Sequence, residues 1–293
     1  MNSSLKLRMI VSNFDLTYEI MVNLNLKVTA LFSLIILTKI SLYGQDNLAT
    51  SHALVNTNKI LPVLFQQHAA EYRALCYQAF NLASLKLESF KKKRRGLPYA
   101  IITDIDETIL DNSKYEAQRI KDRKEFAFES WKKWTDQSAA TLVPGAGEFL
   151  KKAKEKGISI FYISNRDTSE LKSTTINLQN LGVPYADAEH LLFQMGQSSK
   201  EKRRQQIGQT YHVIMLIGDN LNDFTQFFEK KTIKDRKNEV DKVKGEWGSR
   251  FIVLPNSIYG EWENALYNYK SRLTDSKKDS ILRATLVGVE GEN

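Results

Sequence analysis

Along most of the chain the apolar residues fall into short runs separated by charged stretches, and the spacing within each run predicts its element. Phe65, Ala69, Tyr72, Cys76, Ala79 and Ala83 recur at steps of three and four, the period of one helix face. They predict an amphipathic helix packed on the core. It runs into Lys91-Lys92-Lys93-Arg94-Arg95-Gly96-Leu97-Pro98, where five consecutive cations followed by Gly and Pro read as an exposed linker. From Tyr99 to Thr103 the pattern becomes that of a buried strand. Residues 116–140 are charged but carry Phe126, Phe128, Trp131 and Trp134, aromatics able to form a cover beside that strand.

A regular alternation follows. Pro144-Gly145-Ala146-Gly147 opens a helix to Lys156, with Gly157 as its C-cap. Then come a strand over Ile158 to Ile163, a helix over Thr168 to Leu181, and a short strand around Leu191 to Phe193. A basic helix begins after Lys200, and strands over Val213 to Ile217 and Phe251 to Leu254 complete the series. Strands separated by helical patterns of ten or more residues predict an α/β fold: a Rossmann-like parallel sheet with helices on both faces, plus a smaller helical cap. The expected divisions are an export signal over 1–44, a helical segment over 45–98, a core over 99–265 with a cap insertion near 113–140, and a polar tail over 266–293. The segment 229–250, dense in Lys and Asp, reads as an exposed excursion.

The export reading rests on Lys27 and the ten-residue apolar run from Val28 to Leu37, too short to span a bilayer but suited to a signal-peptide core. Ser41-Leu42-Tyr43-Gly44-Gln45 offers cleavage after Gly44, and the acids Asp15 and Glu19 ahead of the run point to Met21 as the start. A buried helix is the competing reading, because Lys39 lies close to the run. Export implies a bacterial periplasm, cell surface or exterior, with no stable membrane span after cleavage.

Composition adds limits. The chain has 293 residues, 42% hydrophobic and 26% charged, which suits a soluble domain plus an elaboration. The net charge of +8 is spread among Asp and Glu, favouring a small anionic substrate over a nucleic-acid polymer. Cys76 is the only cysteine, so no intramolecular disulfide forms, and it lacks the nearby Arg of a cysteine-based phosphatase. His52, His68, His190 and His212 show no paired spacing, which argues against zinc or haem chemistry.

The candidate chemistry sits at the strand ends. Ala-Ile-Ile-Thr-Asp-Ile-Asp-Glu-Thr-Ile-Leu-Asp-Asn-Ser-Lys-Tyr, over 100–115, delivers Asp104 and Asp106 where the first core strand stops. Ligands of open α/β sheets bind outside the carboxyl ends of the strands. Alone, the pair could be an acidic turn. Ser164, Lys200, Asp219 and Asp223 follow at later strand ends or helix starts, so the recurrence points to phosphoryl transfer. Asp219 with Asp104 supplies the hard oxygen ligands that Mg²⁺ prefers.

These motifs resemble the haloacid dehalogenase-like superfamily. The chain is similar there to the class C bacterial acid phosphatases and 5′-nucleotidases of the lipoprotein e type. The resemblance is carried by Asp-Ile-Asp-Glu-Thr with Asn112 and Tyr115, Ser164-Asn165-Arg166, Lys200, Gly-Asp-Asn-Leu-x-Asp-Phe over 218–224, and the stretch from Leu254 to Trp262. It implies that Asp104 attacks phosphorus and that Asp106 protonates the leaving oxygen, then activates water. Ser164 and Lys200 would hold the phosphoryl oxygens, with Asn165 and Arg166 on the substrate. Mg²⁺ would be held by Asp104, the Asp106 carbonyl and Asp219, with Asp223 a ligand or orienting group. Tyr115, Tyr259 and Trp131 are the choices for stacking a base or ring. The family's lipoproteins carry a cysteine at the cleavage site where Gly44-Gln45 stands here, so an acylated protein is not expected. The implied substrate is a small phosphomonoester, nucleoside 5′-monophosphates foremost, and a homodimer is left open. Alternatives are a phosphotransferase, a phosphatase for other small esters, or a non-catalytic storage or binding protein. The last is disfavoured because Asp104, Asp106, Lys200 and Asp219 are all present.

Overall fold

Five parallel strands form the centre of the computed structural model, in the order β5-β4-β1-β6-β7. They are β1 (Tyr99–Thr103), β4 (Ser159–Asp167), β5 (Leu191–Gln194), β6 (His212–Gly218) and β7 (Phe251–Val253). The structure describes residues 58–90 and 96–289, with the isolated positions 34 and 39. The expected export segment (those two positions apart) and the cation run 91–95 lie outside the described residues. Of two compact units, Met1–Ala53 and Leu54–Asn293, the second holds every element named here. Among the described residues no helix is long and apolar enough to cross a membrane.

Period-two alternation along buried strands loads both faces of the sheet. Ile101, Ile160, Tyr162, Met215 and Ile217 turn to one cluster, and Ala100, Ile102, Phe161, Ile163 and Leu216 to the other. On the first face lie α2 (Ala70–Ser89), through Tyr72, Cys76, Phe80, Ala83 and Leu87, and α5 (Ala146–Glu155), through Phe149 and Leu150. On the second lie Ile207 of α7 (Glu201–Thr210) and Val240 of α8 (Ile233–Lys242). Each large apolar side chain buried in this way stabilises the fold by about 1.5–3 kcal/mol. The helices on both faces agree with the expected fold class.

Several segments differ from the expectation. The N-terminal helical pattern is two helices, α1 (Ile60–His68) and α2, because Ala69 is extended at φ −74° and ψ 129°. Phe65 lies on α1 and is exposed. The segment 229–250 is not an excursion, since α8 buries Arg236 and Val240 packs with Trp247 on the second cluster. The polar tail contains a helix, α10 (Asp275–Thr285), whose Lys278 pairs with Glu125 at 2.8 Å. In the expected helix over 168–181, a 3₁₀ turn (Thr168–Glu170) capped by Asp167 leads into α6 (Leu171–Asn180).

The insertion after β1 is pinched at its base. β2 (Leu110–Asp111) pairs antiparallel with β3 (Thr141–Leu142), and between them run α3 (Ser113–Lys121) and α4 (Phe128–Thr135). A short helix, α9 (Glu261–Leu266), follows the last core strand.

Candidate active site

Parallel pairing brings the C-terminal ends of β1, β4 and β6 side by side, with Thr103 paired to both Tyr162 and Ile217. Asp104 leaves β1 with its N–H donating to the Ile217 carbonyl at 2.9 Å, so its backbone is held by the sheet itself. Lys200, at the N-cap of α7, donates to Asp104 and also to Asp223 Oδ1, at 2.7 Å. The Thr108 hydroxyl lies 3.4 Å from Asp104 Oδ2 and 3.2 Å from Asp219 Oδ1. Asn256, just beyond β7, donates to Asp219 Oδ2 at 2.7 Å. Asp223 closes the turn after β6, its Oδ2 accepting the Asn220 N–H at 3.0 Å.

One cation therefore faces three carboxylates. Desolvation pushes Asp104 well above the usual carboxylate range; Lys200 pulls it down, while Asp223 and Asp219 push it up again. Desolvation and then the charge of Asp223 push Asp219 up to about 7. Burial alone would lower Lys200, but Asp104 and Asp223 outweigh it and hold the ammonium above its ordinary value. Single carboxyl oxygens of Asp104, Asp219 and Asp223 lie within 4.8 Å of one another. Crowded, partly desolvated oxygens with only one ammonium between them fit a divalent cation, which relieves their mutual repulsion.

Asp106 belongs to a second network. Its Oδ1 accepts from Asn112 Nδ2 at 2.8 Å and from Arg166 Nη2 and Nε at 2.8 and 3.1 Å. Its Oδ2 accepts from the Ser164 hydroxyl at 3.2 Å and shares the Arg166 Nε at 3.2 Å. Arg166 is buried, whereas Asn165 is exposed and its Oδ1 accepts from Arg203 Nη2 at 2.7 Å. Arg203 also donates to the Ser164 carbonyl at 2.6 Å, tying the end of β4 to α7.

The expected stacking residues are placed differently from one another. Tyr115 is buried, bonded to the Ser130 hydroxyl at 3.0 Å and edge-on to Trp131 at 5.1 Å between ring centres. Phe126 and Phe128 of the insertion are exposed, and Trp131 lies over the Arg166 guanidinium at 5.4 Å. Tyr259 donates its hydroxyl to Glu107. Glu107 is a site residue that pattern reading does not reveal: it is fully buried at φ 55°, accepts the Asn112 N–H at 2.9 Å, and is pushed up by desolvation and the charge of Asp106. Only its place in the Asp-Ile-Asp-Glu run hinted at it.

The arrangement can hold a tetrahedral anion against a carboxylate, with a second carboxylate two residues on to move protons. Comparison with known proteins agrees. Residues 45–262 match the family described as HAD superfamily, subfamily IIIB (acid phosphatase). The chain is similar to the class C acid phosphatase from Bacillus anthracis, with 39% identity and a TM-score of 0.77 over 81% of this chain and 100% of that one. A structure of the Bacillus anthracis class C acid phosphatase with tungstate bound matches at 39% identity and a TM-score of 0.76, covering 80% of this chain and 99% of that one.

Proposed function

The chain belongs to the acid phosphatases of HAD superfamily subfamily IIIB and is a phosphomonoesterase, and from that premise we propose a two-step, Mg²⁺-dependent hydrolysis with Asp104 as nucleophile. The observation that carries this reading is the placement of Asp104 on Lys200, within reach of Asp219 and Asp223, with Asp106 and Ser164 hydrogen-bonded alongside. Tungstate, a phosphate-like oxyanion, binds the relative named above, which supports the reading that this chain binds an oxyanion.

An Asp104 oxygen attacks phosphorus while the ester P–O bond breaks and its electron pair leaves with the alkoxy oxygen. Asp106 supplies the proton that oxygen needs. Water then attacks the aspartyl phosphate, its proton passes to Asp106, and the P–O bond to Asp104 breaks to release phosphate. Lys200 balances charge on Asp104 in both steps, and Ser164 offers its hydroxyl to a phosphoryl oxygen. Asp104, Asp219, Asp223 and the Asp106 carbonyl are the groups that would hold Mg²⁺, a Lewis acid for the phosphoryl group.

Nucleoside 5′-monophosphates are the proposed substrates. Trp131, over the Arg166 guanidinium, and Tyr259, bonded to Glu107, are the rings offered to a base, with the buried Tyr115 edge-on to Trp131 as support, and base–aromatic stacking stabilises binding by about 1–3 kcal/mol per base. Export to the periplasm or beyond is part of the same proposal and rests on the Val28–Leu37 run. The test is phosphate release from nucleoside monophosphates, sugar phosphates and p-nitrophenyl phosphate, with and without Mg²⁺, from about pH 4 to about pH 8. Mg²⁺-dependent release with nucleotides preferred supports the reading. Release that ignores the cation, or no preference for nucleotides, removes the corresponding part of it.

A further inference from the structure

Arg166 has the chemistry of a phosphate ligand but not the position of one. It is 3% exposed, and its donors are committed to protein. Nε and Nη2 go to Asp106, and Nη1 goes to the Thr174 hydroxyl of α6 at 2.8 Å. Its Cζ lies over the Trp131 ring, 5.4 Å from the ring centre.

The two oxygens of Asp106 are treated unequally. Oδ1 carries three donors, at 2.8, 2.8 and 3.1 Å, from Asn112 and Arg166. An oxygen so occupied has no lone pair left for a proton of its own. Oδ2 has only the Ser164 hydroxyl and the shared Nε, both at 3.2 Å. A hydroxyl can rotate to accept as well as donate, so Ser164 tolerates a proton on Oδ2. The donors on Oδ1 are themselves anchored by the insertion: Asn112 Oδ1 accepts from Trp134 Nε1 at 2.9 Å, and the Arg166 cation lies over the Trp131 ring.

We propose that Arg166 is the positioning residue of leaving-group departure, tying off Oδ1 of Asp106 so that Oδ2 is the atom that gives and takes the proton. The inference rests on the acid/base role given to Asp106 above. In the first step the Asp104–phosphorus bond forms, the ester bond breaks with its electron pair on the leaving oxygen, and that oxygen takes the proton from Asp106 Oδ2. A planar fork fixes the carboxyl plane as no point charge can. The tryptophans of the insertion then serve the acid as its scaffold, whatever they do for substrate.

The test compares kcat/KM, which reports the step that expels the leaving group, for p-nitrophenyl phosphate and for an alkyl ester such as glycerol phosphate. Nitrophenolate leaves without help, whereas an alkoxide needs its proton. Arg166→Gln and Arg166→Lys are each expected to lose about a hundredfold or more on the alkyl ester and less than about tenfold on the aryl ester. The retained aryl activity also reports that the variant is folded. Asp106→Asn runs beside them. If it shows the same selective loss and the Arg166 variants do not, the inference fails while the Asp106 assignment stands. If Asp106→Asn shows no selectivity, the Asp106 assignment itself fails. Should neither Arg166 variant be recovered folded, Thr174→Val, which removes the Nη1 acceptor from outside the site, is expected to show the same selectivity at smaller amplitude. Equal loss on both esters, or no loss, overturns the proposal.

Discussion

Lys200 donates a 2.7 Å hydrogen bond to Asp223 with the same ammonium that holds Asp104. One buried cation thus joins the loop after β6 to the end of β1. Lys200→Met leaves two buried carboxylates without their partner. Breaking a buried pair from one side costs about 3–5 kcal/mol, and a loss of that order is expected in urea unfolding of the metal-free protein. Phosphate release is expected to vanish with it. Wild-type turnover in this variant would remove Lys200 from the mechanism.

Gly218 is required by a close approach. A Cβ at this position would lie 2.7 Å from the carboxyl carbon of Asp223, so Gly218→Ala forces that side chain out of its bond to Lys200. Turnover is expected to fall by about a hundredfold or more, since a displacement of about 1 Å at a reacting constellation costs that much. Steady-state kinetics of Gly218→Ala check it, and unchanged kinetics contradict it.

With Asp219 as a ligand of the proposed Mg²⁺ site, its titration is expected to set a pH window for metal binding. Its carboxyl is pushed up to about 7, against an ordinary value of about 3.9. The folded metal-free protein therefore holds the proton where the unfolded chain has lost it. That contribution to stability is full below the ordinary value and is lost as pH rises through about 7. A divalent cation needs the carboxylate, so its effect runs the other way. The increase in Tm caused by Mg²⁺ is expected to grow between about pH 5 and about pH 8, and thermal unfolding with and without the ion measures it. An increment that stays level across this range would exclude Asp219 as the titrating ligand.

Tyr259 and Glu107 join the loop after β1 to the segment after β7, across 152 residues. Tyr259→Phe removes the donor to Oε2 of a fully buried carboxyl whose Oε1 keeps the Asn112 N–H, and an unsatisfied buried polar atom costs about 1–3 kcal/mol. Chemical denaturation is expected to show that loss. A variant as stable as the parent would mean that Glu107 finds another donor.

Much of the fold was legible because buried parallel strands read as continuous apolar runs, as in Ile158 to Ile163, and because Gly157 and Gly182 mark the turns between elements. The strand-end acids were legible for the same reason: a polar residue directly after such a run has few places to go. The break at Ala69 was hidden, since Phe65 and Tyr72 keep helical spacing across it and their rings still meet at 6.2 Å. The segment 229–250 reads as exposed because α8 shows solvent mostly Lys, Asp and Glu, with Arg236 buried and Ile233 and Val240 partly buried. The tail misled in the same way, α10 burying little beyond Asp275. The placement of Arg166 could not be read at all. Its partner lies 60 residues away, and an arginine beside a strand-end serine looks the same whether it faces substrate or holds an acid.

A phosphoryl group that passes through Asp104 leaves an acyl phosphate there during turnover. Rapid acid quenching of a turnover with labelled phosphomonoester, followed by peptide mapping, traps that intermediate. Acyl phosphate label is expected on the peptide containing Asp104, absent from Asp104→Asn, with that variant folded and inactive. Label on another residue, or turnover retained by Asp104→Asn, would contradict the mechanism.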